Sequence, residues 1–177
     1  MLRNVGGFTL VEILLTVTVV GIIAATAMPA LSKSRAISRE ASTIGTLRAL
    51  NGAQATFAAS CAPGYYAPAV KWLTTPPSGK APSLGAEFAA GDTVTRQGYT
   101  IQFTSGPAIA AAPKSCNGLA AGTATQTYFL GADPLTVGPG YGTRHFGTIS
   151  SGSIFQSVKR IGVFYTGSAP APATPLK

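Results

Sequence analysis

Ionisable side chains are scarce in this sequence, and their scarcity limits the chemistry that the chain can perform. Charged residues make up 10 % of its 177 residues, against roughly 25 % in ordinary soluble domains. His145 is the single histidine, so the sequence offers no second histidine for a metal set. Asp92 and Asp133 lie far apart and form no paired-carboxylate motif. These shortages argue against an enzyme, and we predict no catalytic residue, no metal site and no cofactor.

Cysteine is also scarce, and Cys61 and Cys116 are the two examples. The pair lacks the CxxC spacing of redox and zinc motifs. It can form one intramolecular disulfide, a bond that persists outside the cytoplasm, or remain as two buried thiols. We favour the disulfide in an exported domain, where a loop this long is worth about 4 kcal/mol in the chain-entropy model.

Two further features carry little chemical signal. The segment GPGYG at residues 138–142 is rich in glycine but lacks the lysine and the serine or threonine of a phosphate-binding loop. We interpret it as a turn. His145 lies in a predicted strand, and we interpret it as a strand surface residue rather than a ligand.

Glycine and proline are frequent, at 21 and 13 residues. Together with the low charge content, this is typical of a loop-rich extracellular fold. The net charge is +8, and an excess of that size can attract nucleic acid or anionic surfaces. The basic residues are scattered rather than clustered, so DNA or surface contact is an expectation from charge alone.

A long apolar run dominates the start of the chain. Residues 8–31 are almost wholly apolar, and their length suits a hydrocarbon core of about 30 Å. Glu12 interrupts the run, and a carboxylate in a membrane segment is costly and indicates a functional site. A secretory signal peptide does not explain this run, because its apolar region is only about 7–15 residues long and a small-residue cleavage site follows it. The present run is longer, and no such site follows it. A plain membrane anchor explains the length but not Glu12.

The junction before the apolar run resembles the leader-cleavage motif of the type IV pilin superfamily. Six consecutive residues match that motif in order: Gly7, Phe8, Thr9, Leu10, Val11 and Glu12. Gly21 and Pro29 also fall where pilins usually carry such residues. Residues 128–134, 142–147 and 152–155 look like the C-terminal part of some bacterial pilins. The cysteine pair departs from many pilins, in which the disulfide closes a loop near the C-terminus.

This resemblance implies a processing and assembly route. A prepilin peptidase would remove the leader, residues 1–7, by cutting between Gly7 and Phe8, and the new amine of Phe8 would be methylated. Glu12 would then pair with the Phe8 amine of a neighbouring subunit in a helical filament of identical chains. An assembly platform and its ATPase would extrude the filament.

The resemblance also implies a topology. Before assembly the chain would cross the inner membrane once, with its N-terminus in the cytoplasm, and it would later become extracellular. Counting lysine and arginine alone favours the reverse orientation, because Lys33, Arg35 and Arg39 follow the apolar run. We prefer the orientation implied by the leader.

The helical pattern continues beyond the membrane segment. Five larger apolar residues within residues 32–59 share one predicted helical face: Ile37, Ile44, Leu47, Leu50 and Phe57. The charged residues of this stretch lie mostly off that face: Lys33, Arg35, Arg39, Glu40 and Arg48. We therefore predict one helix over residues 8–59, with an apolar half at 8–31 and an amphipathic half at 32–59. Gly21 and Pro29 are its weak points; we expect them to stay helical in a lipid-embedded monomer and to permit extension in a filament.

The remaining residues predict a sheet and its connections. Residues 60–97 read as a loop region, residues 98–166 as an antiparallel β-sheet domain, and residues 167–177 as a mobile tail rich in proline and alanine. Strands are predicted at residues 98–104, 125–130, 144–149, 153–158 and 161–165. The fold class is thus α+β, in the manner of a type IV pilin: a long N-terminal helix packed on a C-terminal antiparallel sheet.

Three functions compete on these observations. The first is a subunit of a type IV pilus that serves adhesion, twitching motility or DNA uptake. The second is a pseudopilin of type II secretion; major pseudopilins commonly bind calcium in an acidic C-terminal loop, where only Asp133 is available here. The third is a membrane-anchored binding module that never polymerises, against which the leader and Glu12 weigh. We favour the first.

Overall fold

The computed structural model describes residues 7–167 and 169–176. Within these ranges there are three helical segments: α1 (Leu10–Ser60), α2 (Lys71–Thr74) and a 3₁₀ turn (Ala86–Phe88). The same described residues contain six strands: β1 (Thr93–Arg96), β2 (Tyr99–Ser105), β3 (Tyr128–Pro134), β4 (His145–Ile149), β5 (Ile154–Ser157) and β6 (Thr174–Pro175). The strands pair antiparallel in sequence order within one sheet. The predicted α+β class, with a long N-terminal helix and an antiparallel sheet, is confirmed.

Helix α1 runs unbroken for 51 residues, which corresponds to about 77 Å at about 1.5 Å per residue. Gly21 and Pro29 both lie inside it. The helix continues through Pro29 although proline lacks the amide that would bond the carbonyl of Ala25. In the single chain α1 is unbroken at both residues, and the extension expected for a filament stays a prediction.

The face of α1 that packs on the sheet differs in part from the predicted stripe. Leu47, Leu50 and Phe57 are buried as predicted, but Ile37 is 55 % exposed. Glu40, which was placed off the stripe, is only 4 % exposed. The prediction was wrong there because a basic partner on the sheet side compensates the charge of Glu40. The buried residues of α1 are Glu40, Thr43, Leu47, Leu50, Ala53, Gln54 and Phe57.

Polar side chains of α1 tie it to the loop region and the sheet. The amide nitrogen of Gln54 donates to the carbonyl of Ala67 at 3.0 Å, and its oxygen accepts from the Ala67 amide at 2.9 Å. Asn51 donates to the Thr148 hydroxyl at 2.9 Å and accepts from the Tyr128 hydroxyl at 3.0 Å. The core between α1 and the sheet is thus held by specific hydrogen bonds as well as by apolar packing.

The sheet begins earlier than predicted. Residues 93–96 were assigned to the loop region, but they form β1 and pair with β2. Gln97 and Gly98 connect the two strands with φ angles of 50° and 81°. Positive φ at both central residues is what a type I′ hairpin turn requires. This two-residue turn was the sequence signal that the prediction overlooked.

Two other strand predictions were displaced. The strand predicted at residues 125–130 lies at Tyr128–Pro134, because Thr125 instead bridges Tyr66 and Ala108. Residues 161–165 form no strand, and Phe164 covers the sheet face turned away from α1, 5.5 Å from Phe129 between ring centroids. A second apolar cluster lies on that face: Phe129, Ile149, Phe155 and Ile161.

The C-terminal residues are more ordered than the predicted tail. Thr174 pairs with Gln156 along the edge of β5, and Leu176 packs against the main core. The prediction of a mobile tail is wrong for these residues, since an open edge of β5 offers backbone partners that composition does not reveal. Ser168 and Lys177 lie outside the described residues, as do residues 1–6 of the predicted leader.

Candidate functional site

The N-terminal end of α1 is the candidate site, and its geometry begins with a helix cap. Thr9 has extended backbone angles, with φ −80° and ψ 150°, and its hydroxyl accepts from the Glu12 amide at 3.2 Å. Gly7 and Phe8 precede the helix and belong to no helix or strand. The predicted cleavage junction is therefore non-helical backbone, the form in which a peptide bond is accessible to a peptidase.

Thr9 and Glu12 stand in the Thr-x-x-Glu pattern of a capping box. In a complete box, the glutamate carboxylate also accepts from the backbone amide of the capping residue. Among the described residues, that reciprocal bond is not formed, and the Glu12 carboxylate makes no other hydrogen bond or ion pair. The Thr-x-x-Glu spacing is the sequence signal that could have predicted this helix cap. Its consequence is that Glu12 has a capped backbone and a carboxylate available to an outside partner.

The other polar side chains of the apolar half satisfy themselves within the helix. The hydroxyls of Thr16, Thr18 and Thr26 donate to carbonyls three residues earlier, at 2.8, 2.8 and 2.9 Å. Such local bonds allow threonine to face an apolar environment without an unsatisfied donor. Glu12 is thereby distinguished from every other polar side chain in residues 10–31.

Apolar side chains cover the surface of this half of α1. Phe8 is 74 % exposed, and none of the most apolar 18-residue stretch of α1 is buried. By length and composition α1 can cross a membrane. Large apolar residues exposed along it are Leu10, Val11, Ile13, Leu14, Leu15, Val17, Val19, Val20, Ile22, Ile23, Met28 and Leu31. A surface of this kind requires lipid or protein to cover it.

Glycines in this region are not explained by packing within the chain. A Cβ atom at Gly7 or Gly21 would meet no atom within 4 Å among the described residues. The fold therefore leaves room for a side chain at both positions. At Gly21 the bare backbone is open to close approach by another helix.

A partly buried ion pair between Glu40 of α1 and Arg144 joins the helix to the sheet. Arg144 donates from Nε and Nη2 to Glu40 Oε2 at 2.8 and 2.6 Å, and the Thr143 amide donates to Oε1 at 2.9 Å. Arg144 also donates from Nη1 to Gln156 Oε1 at 2.6 Å. Every oxygen of the Glu40 carboxylate is satisfied, so this cluster joins helix to sheet rather than forming a reactive site.

Tyr99 supports the same cluster from β2. Its hydroxyl donates to the carbonyl of Arg144 at 2.9 Å. Burial, reinforced by the nearby charge of Glu40, raises the pKa of Tyr99 to about 12. Tyr99 is therefore a neutral donor throughout the physiological range.

The sheet carries a second polar cluster, around Asp133 at the end of β3. Asp133 Oδ1 is hydrogen-bonded to His145 Nδ1 at 2.6 Å, and Oδ2 pairs with Arg160 Nε at 2.8 Å. His145 is partly buried rather than the surface residue we predicted. Both carboxylate oxygens face positive or proton-donating groups, which is the opposite of a calcium site. In the part of the chain that the structure describes, no three His, Cys, Asp or Glu residues gather in a way that could hold a metal.

Cys61 and Cys116 form a disulfide, with their Cα atoms 4.7 Å apart. The Cys116 amide also donates to the carbonyl of Cys61 at 3.0 Å. The bond anchors the loop region at the end of α1.

Asp92 has a related structural role, since its Oδ1 accepts from the Val70 amide at 2.7 Å.

Comparison with known proteins gives one finding at this same end of the molecule. Residues 2–28 match the family model described as the prokaryotic N-terminal methylation motif. The match covers residues 2–7 of the predicted leader, the Gly7–Phe8 junction, Glu12 and α1 as far as Met28. No curated protein and no solved structure shows significant similarity to the chain. The chain thus carries at its N-terminus the type IV prepilin-like signature, which is characteristic of type IV pilin-like and pseudopilin proteins.

Proposed function

We propose that this protein is a structural subunit of a type IV pilus. The leader is cut between Gly7 and Phe8, the Phe8 amine is methylated, and the mature chains assemble into a helical filament. The observation that carries this proposal is Glu12, a carboxylate without a partner among the described residues, on an exposed apolar helix directly after the junction. The matched methylation motif supports it.

The pairing between Glu12 and Phe8 gives the filament its register. In an apolar environment a lone carboxylate is costly, and a nearby positive charge offsets part of that cost. Cleavage creates such a charge at the Phe8 amine, one helical turn away from Glu12. An incoming subunit displaced by a few residues along the axis presents its own Phe8 amine to this carboxylate. The apolar half of α1 then packs against copies of itself.

Before assembly, the apolar half of α1 resides in the inner membrane, with the N-terminus on the cytoplasmic side. The prepilin peptidase acts there, and the assembly platform and its ATPase move the subunit into an extracellular filament. The filament serves adhesion, twitching motility or DNA uptake. Without Arg3, which the cleavage removes, the mature chain has 12 basic and 5 acidic side chains and a net charge of +7. This excess supports contact with DNA or an anionic surface.

Gly21 and Pro29 allow the segment between them to lose its helical conformation in the filament. In a bilayer an unpaired backbone group is expensive, so the segment between them stays helical. In a filament, neighbouring helices compensate lost backbone bonds, and the segment extends. A filament map with an unbroken helix over residues 8–31 would contradict this part of the proposal.

The alternative with the same motif is a pseudopilin of type II secretion. Major pseudopilins commonly hold calcium near the C-terminus, and Asp133 would have to contribute to such a site. Its two oxygens are occupied by His145 and Arg160, which weighs against this alternative. The other alternative is a membrane-anchored module that never polymerises. It does not explain why a carboxylate without a partner lies on the apolar helix at Glu12.

The proposal is tested on filaments sheared from cells that produce this chain. Electron microscopy should show long surface fibres, and mass spectrometry should identify this chain, beginning at a methylated Phe8, as a component. Fibres whose copies of this chain retain residues 1–7 would refute the processing route. Cells that secrete normally only when the chain is present, and that make no fibre containing it, would favour the pseudopilin.

A further inference from the structure

A groove of ≈ 640 Å³ lies where the apolar half of α1 ends. One wall is formed by Met28, Pro29 and Ile37 of α1, and the other by the loop between β3 and β4 at residues 138–140. A Cβ atom at Gly140 would lie 3.1 Å from Ser32 Oγ, so the loop backbone lies against the helix here. The functions argued above do not use this groove.

The position of the groove along α1 places it at the level of a membrane surface. A hydrocarbon core of about 30 Å accommodates about 20 helical residues. Counted from Leu10, where α1 begins, the span ends close to Met28 and Pro29. The loop that contacts Ser32 is therefore at the height of the lipid headgroups when α1 stands in the bilayer.

The loop at this height, residues 135–144, carries apolar side chains that the fold leaves uncovered. Leu135 is 59 % exposed and Val137 is 62 % exposed. Tyr141 is also exposed, and tyrosine is enriched at membrane–water interfaces because its ring is apolar and its hydroxyl is polar. These exposed side chains belong to the same loop whose residues 138–140 line the groove beside α1.

The charges around the loop are complementary to phospholipid phosphates. Lys33 and Arg35 are exposed on α1 and have no ion-pair partner among the described residues. The one acidic residue that lines the groove is Glu40, and its carboxylate is taken by Arg144. An anionic surface next to the groove thus meets basic side chains and no free carboxylate from the described groove lining.

We propose that, before assembly, the loop at residues 135–144 rests on the phospholipid surface beside α1. Leu135 and Val137 enter the boundary between headgroups and acyl chains, and Lys33 and Arg35 contact lipid phosphates. The contact holds the domain against the membrane in one orientation and is given up when the subunit leaves the bilayer. This inference rests on the part of the proposed function that places α1 in a membrane, but it does not require polymerisation.

The test uses the full chain in phospholipid vesicles that contain anionic lipid. Trp72, the single tryptophan, is replaced by phenylalanine, and one tryptophan is introduced by Val137→Trp. A matched control carries Val163→Trp, since Val163 is also an exposed valine but lies beside Phe129 on the sheet face turned away from α1. A Val20→Trp variant reports whether α1 is inserted. Emission is compared between vesicles with ordinary acyl chains and vesicles with brominated acyl chains, which quench tryptophan at short range.

We expect loss of emission in brominated vesicles for Val137→Trp and Val20→Trp, and none for Val163→Trp. Adding Lys33→Gln and Arg35→Gln should weaken the quenching of the Val137→Trp protein. Quenching at position 20 without quenching at position 137 would overturn the inference and leave the proposed function standing. Emission at position 137 that is unquenched and shifts to shorter wavelength as the protein-to-lipid ratio rises would overturn it in favour of a second copy of the chain. A lack of quenching at position 20 would remove the membrane placement, and the inference with it.

Discussion

At the scale of single residues, Thr9 and Glu12 separate two tasks that a capping box usually combines. The Thr9 hydroxyl caps the Glu12 amide at 3.2 Å, so the helix start is stabilised without help from the carboxylate. The carboxylate lies in the first helical turn, where the positive end of the helix dipole favours a negative charge.

Glu40 is the acidic residue whose loss should cost the fold most. Its side chain is 6 % exposed and pairs with Arg144, whose side chain is 39 % exposed. Glu40→Ala leaves that arginine and the Thr143 amide without their acceptor. We expect a loss of about 2–3 kcal/mol in the free energy of unfolding, below the full cost of a completely buried pair because Arg144 reaches solvent.

Urea unfolding of the detergent-solubilised chain measures this loss, with Glu87→Ala as the control. Glu87 and Arg96 are 4.0 Å apart, with side chains 58 % and 39 % exposed, so the control should lose less than about 1 kcal/mol. Equal losses in the two variants would show that the Glu40 pair has no special weight.

Two buried tyrosines should ionise later than the others at high pH. Burial raises the pKa of Tyr99 to about 12 and raises that of Tyr128 further. Because the folded-state pKa exceeds the ordinary value of 10.0, the stability contributed by neutral Tyr99 is complete below pH about 10 and is lost as pH rises towards 12. Absorbance of tyrosinate during an alkaline titration should show a late phase, and Tyr99→Phe should shrink it. A titration in which all six tyrosines ionise together near pH 10 would contradict the buried position.

At the scale of elements, the loop region should depend on the disulfide for its order more than α1 does. Cys61 and Cys116 are separated by 55 positions, a loop worth about 4 kcal/mol in the chain-entropy model. Replacing both cysteines by serine should loosen the loop region and leave α1, which keeps its own hydrogen bonds. Hydrogen exchange should accelerate at residues 62–115 far more than at residues 40–57. Uniform acceleration across both segments would show that the helix depends on the bond as much as the loop does.

The elements also show where sequence patterns suffice and where they do not. Helix α1 was predictable within a few residues at each end, and β2, β4 and β5 were as well, because their periodicity is local. The second strand, predicted at residues 125–130, was displaced because Thr125 is claimed by Tyr66 and Ala108, partners that are distant in sequence. Strand β6 forms because the edge of β5 is open at Phe155 and Gln156. An open strand edge cannot be predicted from the amino-acid composition of the tail.

The candidate site divides in the same way. Gly7, Phe8 and Glu12 were predicted from a contiguous sequence motif, and the residues matched by the methylation motif include all three. Their roles in cleavage, methylation and assembly stay predictions. The Glu40–Arg144 pair was not predictable, because the two residues lie 104 positions apart and a lone glutamate on a helix ordinarily faces solvent. The helix cap at Thr9 could have been predicted from the Thr-x-x-Glu spacing, but this signal was overlooked.

At the scale of the whole molecule, charge is distributed unevenly between structure and surface. Outside the apolar half of α1, every acidic residue is engaged by another group: Glu40, Glu87, Asp92 and Asp133. Cleavage of the leader would remove Arg3 and leave 12 basic and 5 acidic side chains, a net charge of +7. Repetition along a filament would multiply this positive surface, which supports the contact with anionic partners proposed above.

The two halves of α1 give the molecule its two states. The second half is buried against the sheet through Leu47, Leu50 and Phe57, and it holds the domain together in either state. The first half has no buried residue in its most apolar stretch. In the proposed function, lipid covers it before assembly and neighbouring helices cover it afterwards. Under the proposed assembly, Glu12 gains in the filament a cation that lipid does not offer, the Phe8 amine of a neighbouring subunit.

The most direct test of the central claim is the ratio of sheared filament protein to mature cell-bound protein in Glu12 variants. Glu12→Ala should be made, inserted and cleaved, because a more apolar helix enters the bilayer at least as well, yet it should be poorly incorporated into filaments. Glu12→Gln keeps the size and loses the charge, so it should be nearly as defective. Glu87→Gln, which removes an exposed acidic charge away from α1, should give the ratio of the unaltered chain. A normal ratio for both Glu12 variants would show that this carboxylate is dispensable for assembly, and the register role would have to be abandoned.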